Sequence, residues 1–374
     1  MQKLVVSLIV ALSALSLGAQ EASGVSSGTR TIPAFSIHAG VQGGFIAAHR
    51  EQMKHLQQGH SIGGYLQWIR KAKGDRRWHE EFNNPETGLD VFFLYTGNSR
   101  QLGSQFGVCY FANLPLIRQS REPRSFRHWI TLGIGPGFST KKWDLETNRQ
   151  ADVIGSPLNA ALLLAWSSEV ISTERIALRA GLRITHYSNG AFTLPNLGTN
   201  NIAFALQAGL KSARRIPLSE VGFHDNLPKK WSMEIGIAGG LQEVAPPTYP
   251  KQPAAVISVW ATRRHSWKAS FTGGLDLMYK TALERLFETR DARTPSTAEM
   301  IQAGIIAGYN LHFNRMRFSM QQGIYVRDKW KETGLLYHRF GLRYQFTSKL
   351  FAHLMLKTHF AKADHGELGI GYSF

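Results

Sequence analysis

Short stretches in which apolar and polar residues alternate, each closed by a polar turn, recur along most of the chain. In "WKASFTGGLDLMY", Trp267, Ala269, Phe271, Leu275, Leu277 and Tyr279 share one face, and Lys268, Ser270, Thr272, Gly274 and Asp276 the other. In "LYHRFGLRYQF", Leu336, Phe340, Leu342, Tyr344 and Phe346 oppose Tyr337, Arg339, Gly341, Arg343 and Gln345. A period of two is that of a β-strand with unlike faces. No long stretch repeats at helical period. Beyond the N-terminus, no run is apolar and long enough for a membrane helix.

A soluble sandwich also alternates, but three features favour a transmembrane antiparallel β-barrel. The polar faces carry arginine, lysine and glycine, which suit the inside of a barrel. Aromatic residues mark the ends of the apolar faces, as girdles at the two membrane interfaces do. The chain ends "LGIGYSF", with Leu368, Ile370, Tyr372 and Phe374 on one face. That ending resembles the signal by which bacterial outer-membrane barrels are recognised, so the assembly machinery is an expected partner through Phe374.

Strands are expected near 36–47, 61–70, 88–96, 104–112, 128–138, 157–167, 175–187 and 200–212. A second set falls near 230–239, 254–263, 267–279, 300–311, 316–326, 335–346, 350–358 and 366–374. The total is about sixteen, an even number as bacterial barrels require, with twelve and fourteen as alternatives. One barrel over 36–374, preceded by a periplasmic segment at 20–35, is the simplest arrangement. Long connections such as 139–156 and 280–299 then lie outside the cell and short ones in the periplasm. The links around 71–87, 113–127 and 213–229 are longer than periplasmic turns usually are.

Composition narrows the setting. The chain has 374 residues, 36 glycines, 14 prolines and one cysteine. It opens "MQKLVVSLIVALSALSLGAQ", a lysine, an apolar run and small residues, which reads as a signal peptide over 1–19. The lone Cys109 can form no internal disulfide and is expected to pack as a small apolar side chain. A net charge of +17 often indicates nucleic acid, but an exported chain meets anionic lipid instead.

The candidate chemistry lies in "ITHYSNGAFTLPNLGTNNI", residues 184–202. In the preceding strand Ile176, Leu178, Ala180, Leu182 and Ile184 alternate with Ala177, Arg179, Gly181, Arg183 and Thr185. Two arginines cannot face hydrocarbon, so the first set faces lipid. Continuing the period puts His186 and Ser188 on the lipid side. Asn200 shares the parity of Ile202, Phe204 and Leu206 on the next strand. Side chains two apart on a strand share a face, with Cα atoms about 7 Å apart. A histidine can therefore serve as base for a serine hydroxyl. Asn189, Asn196 and the Gly190 turn are candidate oxyanion donors.

The segment "HYSNGAFTLPNLGTN" resembles the pattern H-x-S-N followed by P-N-x-G of the lipid A 3-O-deacylase (PagL-type) and acyloxyacyl hydrolase-like outer-membrane family. His186, Ser188, Asn189, Pro195, Asn196 and Gly198 occupy the matching positions. The resemblance implies an esterase acting on lipid A, without cofactor or metal. Ser188 would be nucleophile, His186 general base and Asn196 an oxyanion donor. The family's glutamate falls at Asn200, which could still fix the imidazole tautomer; Asn201, Asp144 and Glu243 are other candidates for the third group. Lys141, Lys142 and Arg149 are candidate ligands for lipopolysaccharide phosphates. A non-catalytic barrel, pore or structural, that keeps this segment as a plain hairpin is the alternative. A phospholipase would differ only in substrate.

Overall fold

The computed structural model describes residues 31–116, 127–219, 222–224, 226–227, 230–360 and 362–374. The expected leader at 1–19 and most of the 20–35 segment lie outside the described residues. In chain order the strands begin with β1 (Thr31–Pro33), β2 (Ser36–Ile46), β3 (Ser61–Lys71), β4 (Glu86–Tyr95) and β5 (Ser104–Pro115). They continue with β6 (Arg127–Ser139), β7 (Leu158–Ser172), β8 (Ile176–Ser188), β9 (Thr199–Lys211) and β10 (Arg215–Pro217). Next come β11 (Trp231–Gln242), β12 (Gln252–Arg264), β13 (Ala269–Lys280) and β14 (Ile301–Phe313). The last are β15 (Met316–Arg327), β16 (Leu336–Gln345), β17 (Leu350–His359) and β18 (Lys362–Ser373). Helices α1 (Arg77–Glu81) and α2 (Ala282–Asp291) lie in connections. No helix among the described residues is long and apolar enough to cross a membrane.

The expected strands are all present, but one barrel over 36–374 is not what they build. Strands β2–β9 close one antiparallel ring and β11–β18 close a second. The first closes where β2 meets β9, with Val41 opposite Leu206 and Phe45 opposite Ile202. The second closes where β11 meets β18, with Ile237 opposite Ile370. Alternation reports which face a side chain takes, not which strand lies alongside. Where each ring closes was therefore hidden, although the long link around 213–229 marks the boundary. Within that link β10 pairs with β1 as a small separate sheet.

Rings of eight strands are narrow enough for side chains to fill, and both are filled. In the first, Arg183 reaches both oxygens of Asp90 at 2.6 and 2.9 Å and lies over the Tyr65 ring. One layer nearer the inner end, Arg179 bonds Glu86 at 2.9 and 3.1 Å and Glu169 at 3.1 Å. Phe92, Tyr187, Trp129 and Cys109 occupy the remaining interior. In the second ring Arg339 pairs with Asp276 at 2.7 Å and with Glu367, and Arg343 with Glu234 at 2.6 Å. Arg179, Arg183, Arg339 and Arg343 are thus paired cations in packed cores, and large buried side chains fill both described interiors. Leu182, Phe204, Leu206, Ile237, Leu275 and Leu354 stand exposed on the outside, a surface for hydrocarbon. Phe45, Phe93, Phe106 and Phe138 form an exposed aromatic band near the outer end of the first ring.

The outer mouth of the first ring is closed by its own loops. A 3-10 turn at Glu51–Leu56 folds inward, and Met53 and Leu56 join Leu102, Val153 and Ile154 in the core below. The two barrels also touch. At the inner side Arg77 of α1 lies 4.0 Å from the Trp267 ring, and Phe82 stacks on Phe313.

Arg183→Met tests the interior network. It leaves the Asp90 carboxylate buried without its cation, and the expected cost is about 3–5 kcal/mol. Urea unfolding of the detergent-solubilised protein reads this directly; an unchanged midpoint would mean that the pair does not hold the ring.

Candidate active site

The turn between β8 and β9 sits at the outer end of the first barrel, and two ladders place its polar residues. In the β8–β9 register His186 lies directly opposite Asn200. Their side chains stand on the outer wall and meet, with His186 Nδ1 and Asn200 Oδ1 2.7 Å apart. Asn201, one position on, points inward and accepts from Ser61 Oγ at 2.5 Å, so it cannot serve the imidazole. The β2–β9 ladder runs on past its last paired residues, and Ala47 N donates to Asn200 O at 2.7 Å. Two residues further, His49 brings Nδ1 to 3.0 Å from Asn200 Nδ2 and Nε2 to 3.1 Å from Leu197 O. No motif announces His49; only ring closure brings it here.

Ser188 ends β8, and its Oγ is surrounded by groups of the turn. Asn196 Nδ2 donates to it at 3.1 Å and Gly190 N at 3.2 Å, while Oγ donates to Asn196 Oδ1 at 3.3 Å. Asn196 is itself held by Asn189 N–H on Oδ1 at 3.0 Å. The Asn189 amide is engaged elsewhere, donating to Ser156 Oγ at 2.8 Å and Thr193 O at 2.9 Å. Asn189 thus braces the turn, and the donors aimed at the serine are Asn196 and Gly190. His186 Nε2 makes no hydrogen bond to Ser188 Oγ in this resting arrangement. Such contacts often tighten only when substrate is bound.

Two glycines permit the turn. Gly190 and Gly198 have φ of +66° and +74°, where a side chain would be strained. At Gly198 a Cβ would also lie 2.7 Å from His186 Cε1 and 2.8 Å from Tyr187 O. The imidazole is packed against bare backbone there.

Neither expected acid reaches the imidazole. Asp144 folds into its own loop, where its Oδ1 accepts from Thr147 N at 2.9 Å, Thr147 Oγ1 at 2.8 Å and Glu146 N at 3.1 Å. These bonds, those from Thr147 foremost, hold its carboxyl below the usual range. Glu243 belongs to the second barrel and is buried against the turn. It accepts from Leu194 N at 3.0 Å, from Thr248 N, and from Lys251 Nζ at 2.7 Å. Its own N–H donates to Ala191 O at 3.0 Å, and Lys251 Nζ also reaches Thr193 Oγ1 at 3.0 Å. The second barrel therefore clamps the turn that carries Ser188. Lys141, Lys142 and Arg149 are exposed on the 140–157 connection, and Lys142 lines the cleft between that connection and the second barrel.

A histidine with one nitrogen engaged and the other free, near a serine oxygen already facing two donors, is equipment for acyl transfer. These residues stand at the rim of a lipid-facing wall, and the fold is that of an outer-membrane β-barrel. Residues 62–208 match the family profile described as lipid A 3-O-deacylase (PagL), and residues 231–374 match acyloxyacyl hydrolase, C-terminal domain. The chain belongs to this PagL family, with the first profile spanning the site and the second covering the second barrel.

No curated protein matches the chain. Among solved structures it is similar to the outer membrane enzyme PagL, at 15% identity over 46% of this chain and 97% of that one, with a TM-score of 0.31. It is also similar to a mutant Rh. blastica porin, at 8% identity over 91% of this chain and 99% of that one, with a TM-score of 0.18.

Gly198→Ala is expected to leave a folded, heat-modifiable barrel while pushing the His186 ring out of place. Labelling of Ser188 by an alkyl fluorophosphonate, which needs an activated serine, should fall at least about tenfold, a modest fraction of the 10²–10⁴ that a positioned base contributes. Undiminished labelling would show that the Gly198–His186 contact does not matter.

Proposed function

We propose that this chain is an outer-membrane serine esterase that hydrolyses an ester-linked acyl chain of lipid A. The observation that carries the reading is the cluster of Ser188, His186 and Asn196 on the lipid-facing rim, inside the segment matched by the deacylase profile. A lipid substrate can approach this wall sideways from the outer leaflet without leaving the bilayer.

The chemistry follows from the geometry. When the ester carbonyl enters, Ser188 Oγ gives up its bond to Asn196 Oδ1 and passes its proton to His186 Nε2 as it attacks the carbonyl carbon. Asn196 Nδ2 and the Gly190 N–H, already aimed at the attacking oxygen, stabilise the neighbouring oxyanion. The leaving sugar hydroxyl takes the proton from His186, which leaves an acyl ester on Ser188. Water, deprotonated by the same nitrogen, then releases the fatty acid and restores the serine. Asn200 accepts from His186 Nδ1–H and keeps Nε2 free for both transfers. The exposure of Lys141, Lys142 and Arg149 supports a role as ligands for headgroup phosphates, and that of Phe374 supports its recognition by the assembly machinery.

The alternative of a non-catalytic pore finds no open lumen among the described residues, since both interiors are packed with paired ions and aromatics. Mass spectrometry of lipid A incubated with the purified protein checks the esterase reading. Ser188→Ala should abolish the loss of an acyl chain, and His186→Ala should slow it about 10²–10⁴-fold. Asn196→Ala should slow it about 10²–10³-fold, as loss of one oxyanion donor does. Equal deacylation by all four proteins, or none by the wild type, would contradict the reading.

A further inference from the structure

We infer that His49 is a positioning residue that sets the tautomer of His186 by fixing which way the Asn200 amide faces. This rests on the reading of His186 as the general base. The chain of bonds starts at a group with no freedom. The Leu197 carbonyl can only accept, so His49 Nε2, 3.1 Å away, carries its hydrogen. The neutral His49 ring then has a lone pair at Nδ1, and Asn200 Nδ2 donates to it across 3.0 Å. That turns Asn200 Oδ1 toward His186, whose Nδ1 at 2.7 Å must donate. The His186 lone pair is left at Nε2, the nitrogen that takes the Ser188 proton in the proposed reaction.

A carboxylate at position 200 would need no such partner, because both of its oxygens accept and either orientation selects the Nδ1–H form of His186. An amide has one donor and one acceptor end that differ little in shape. Turned over, Asn200 would donate to His186 Nδ1 and move the ring hydrogen to Nε2, where the ring cannot take a proton from serine. The wrong tautomer is costly: in a trypsin-type triad it lowers kcat about 10⁴-fold. His49 removes that ambiguity. It is available because β2 closes the ring against β9, so β8, β9 and the segment that continues just past β2 supply the three members in order.

The test uses the full chain in detergent micelles with ¹⁵N-labelled histidine, the His186 signals being identified by their loss in His186→Gln. The wild type should show His186 with a protonated Nδ1 and an unprotonated Nε2. His49→Phe, or His49→Ala if the larger ring disturbs folding, should move His186 toward the Nε2–H form or a mixture. The double variant His49→Phe/Asn200→Asp should return it to Nδ1–H. On lipid A, His49→Phe should lower kcat on the order of 10²-fold, part of the full cost of a wrong tautomer, and far less when Asn200→Asp is present. A His186 tautomer unaffected by His49→Phe, or equal kcat losses in both backgrounds, overturns the inference. The tautomer signal needs no turnover. A chain that shows the expected shifts but deacylates nothing would overturn the esterase reading and leave the role of His49 standing.

Discussion

The pairing of β2 with β9 is the contact on which the rest of the first barrel depends. It closes a ring of eight strands rather than continuing a larger sheet, and the narrow ring forces the interior to be solid. A solid interior needs its inward arginines neutralised, which Asp90, Glu86 and Glu169 do. The same seam carries the chain past Asn200 to His49 and then to the loop that seals the outer mouth. Closure, core and site are therefore consequences of one strand pairing.

The second barrel supports the first at the place where chemistry is proposed. Its connection between β11 and β12 supplies Glu243, which is buried against the β8–β9 turn and anchored by Lys251. Leu356 of β17 lies opposite Gly190, at 3.2 Å from where a side chain on that glycine would begin. A turn of ten residues that must hold Asn196 and the Gly190 N–H on one oxygen gains from such bracing, because a misplacement of about 1 Å can cost 10²-fold in rate. Glu243 holds the turn by its backbone, at Leu194 N and Ala191 O, and Lys251 holds it by the Thr193 hydroxyl.

Much of this was legible in the residues. Strand positions and the faces of Arg179, Arg183, His186, Ser188 and Asn200 follow from a period of two, because one face must meet lipid and the other cannot. The pairing of His186 with Asn200 was legible only through the resemblance, which sets the family's glutamate at that position; the β8–β9 register places the two residues opposite one another. What stayed hidden were long-range partners. Alternation is blind to where a ring closes, so two rings of eight read as one of sixteen, and in that single ring β9 would not lie beside β2. His49 was invisible for the same reason, 151 residues from the asparagine it orients. Glu243 was noticed as an acid near the site, but its carboxylate is spent on Leu194 N of the turn, on Thr248 N and on Lys251, which no charge count reveals. Asn189 was legible as part of the site and not as a brace, because its part depends on Ser156 and Thr193 being within reach.

The central claim is that a fatty acyl group passes through Ser188. Protein incubated with lipid A and quenched in acid within one turnover can be digested and its peptides weighed. The account predicts an added acyl mass on the peptide containing Ser188, placed on that residue by fragmentation and absent from Ser188→Ala. Release of free fatty acid with no acylated Ser188 at any time, or an adduct on another residue, would contradict it.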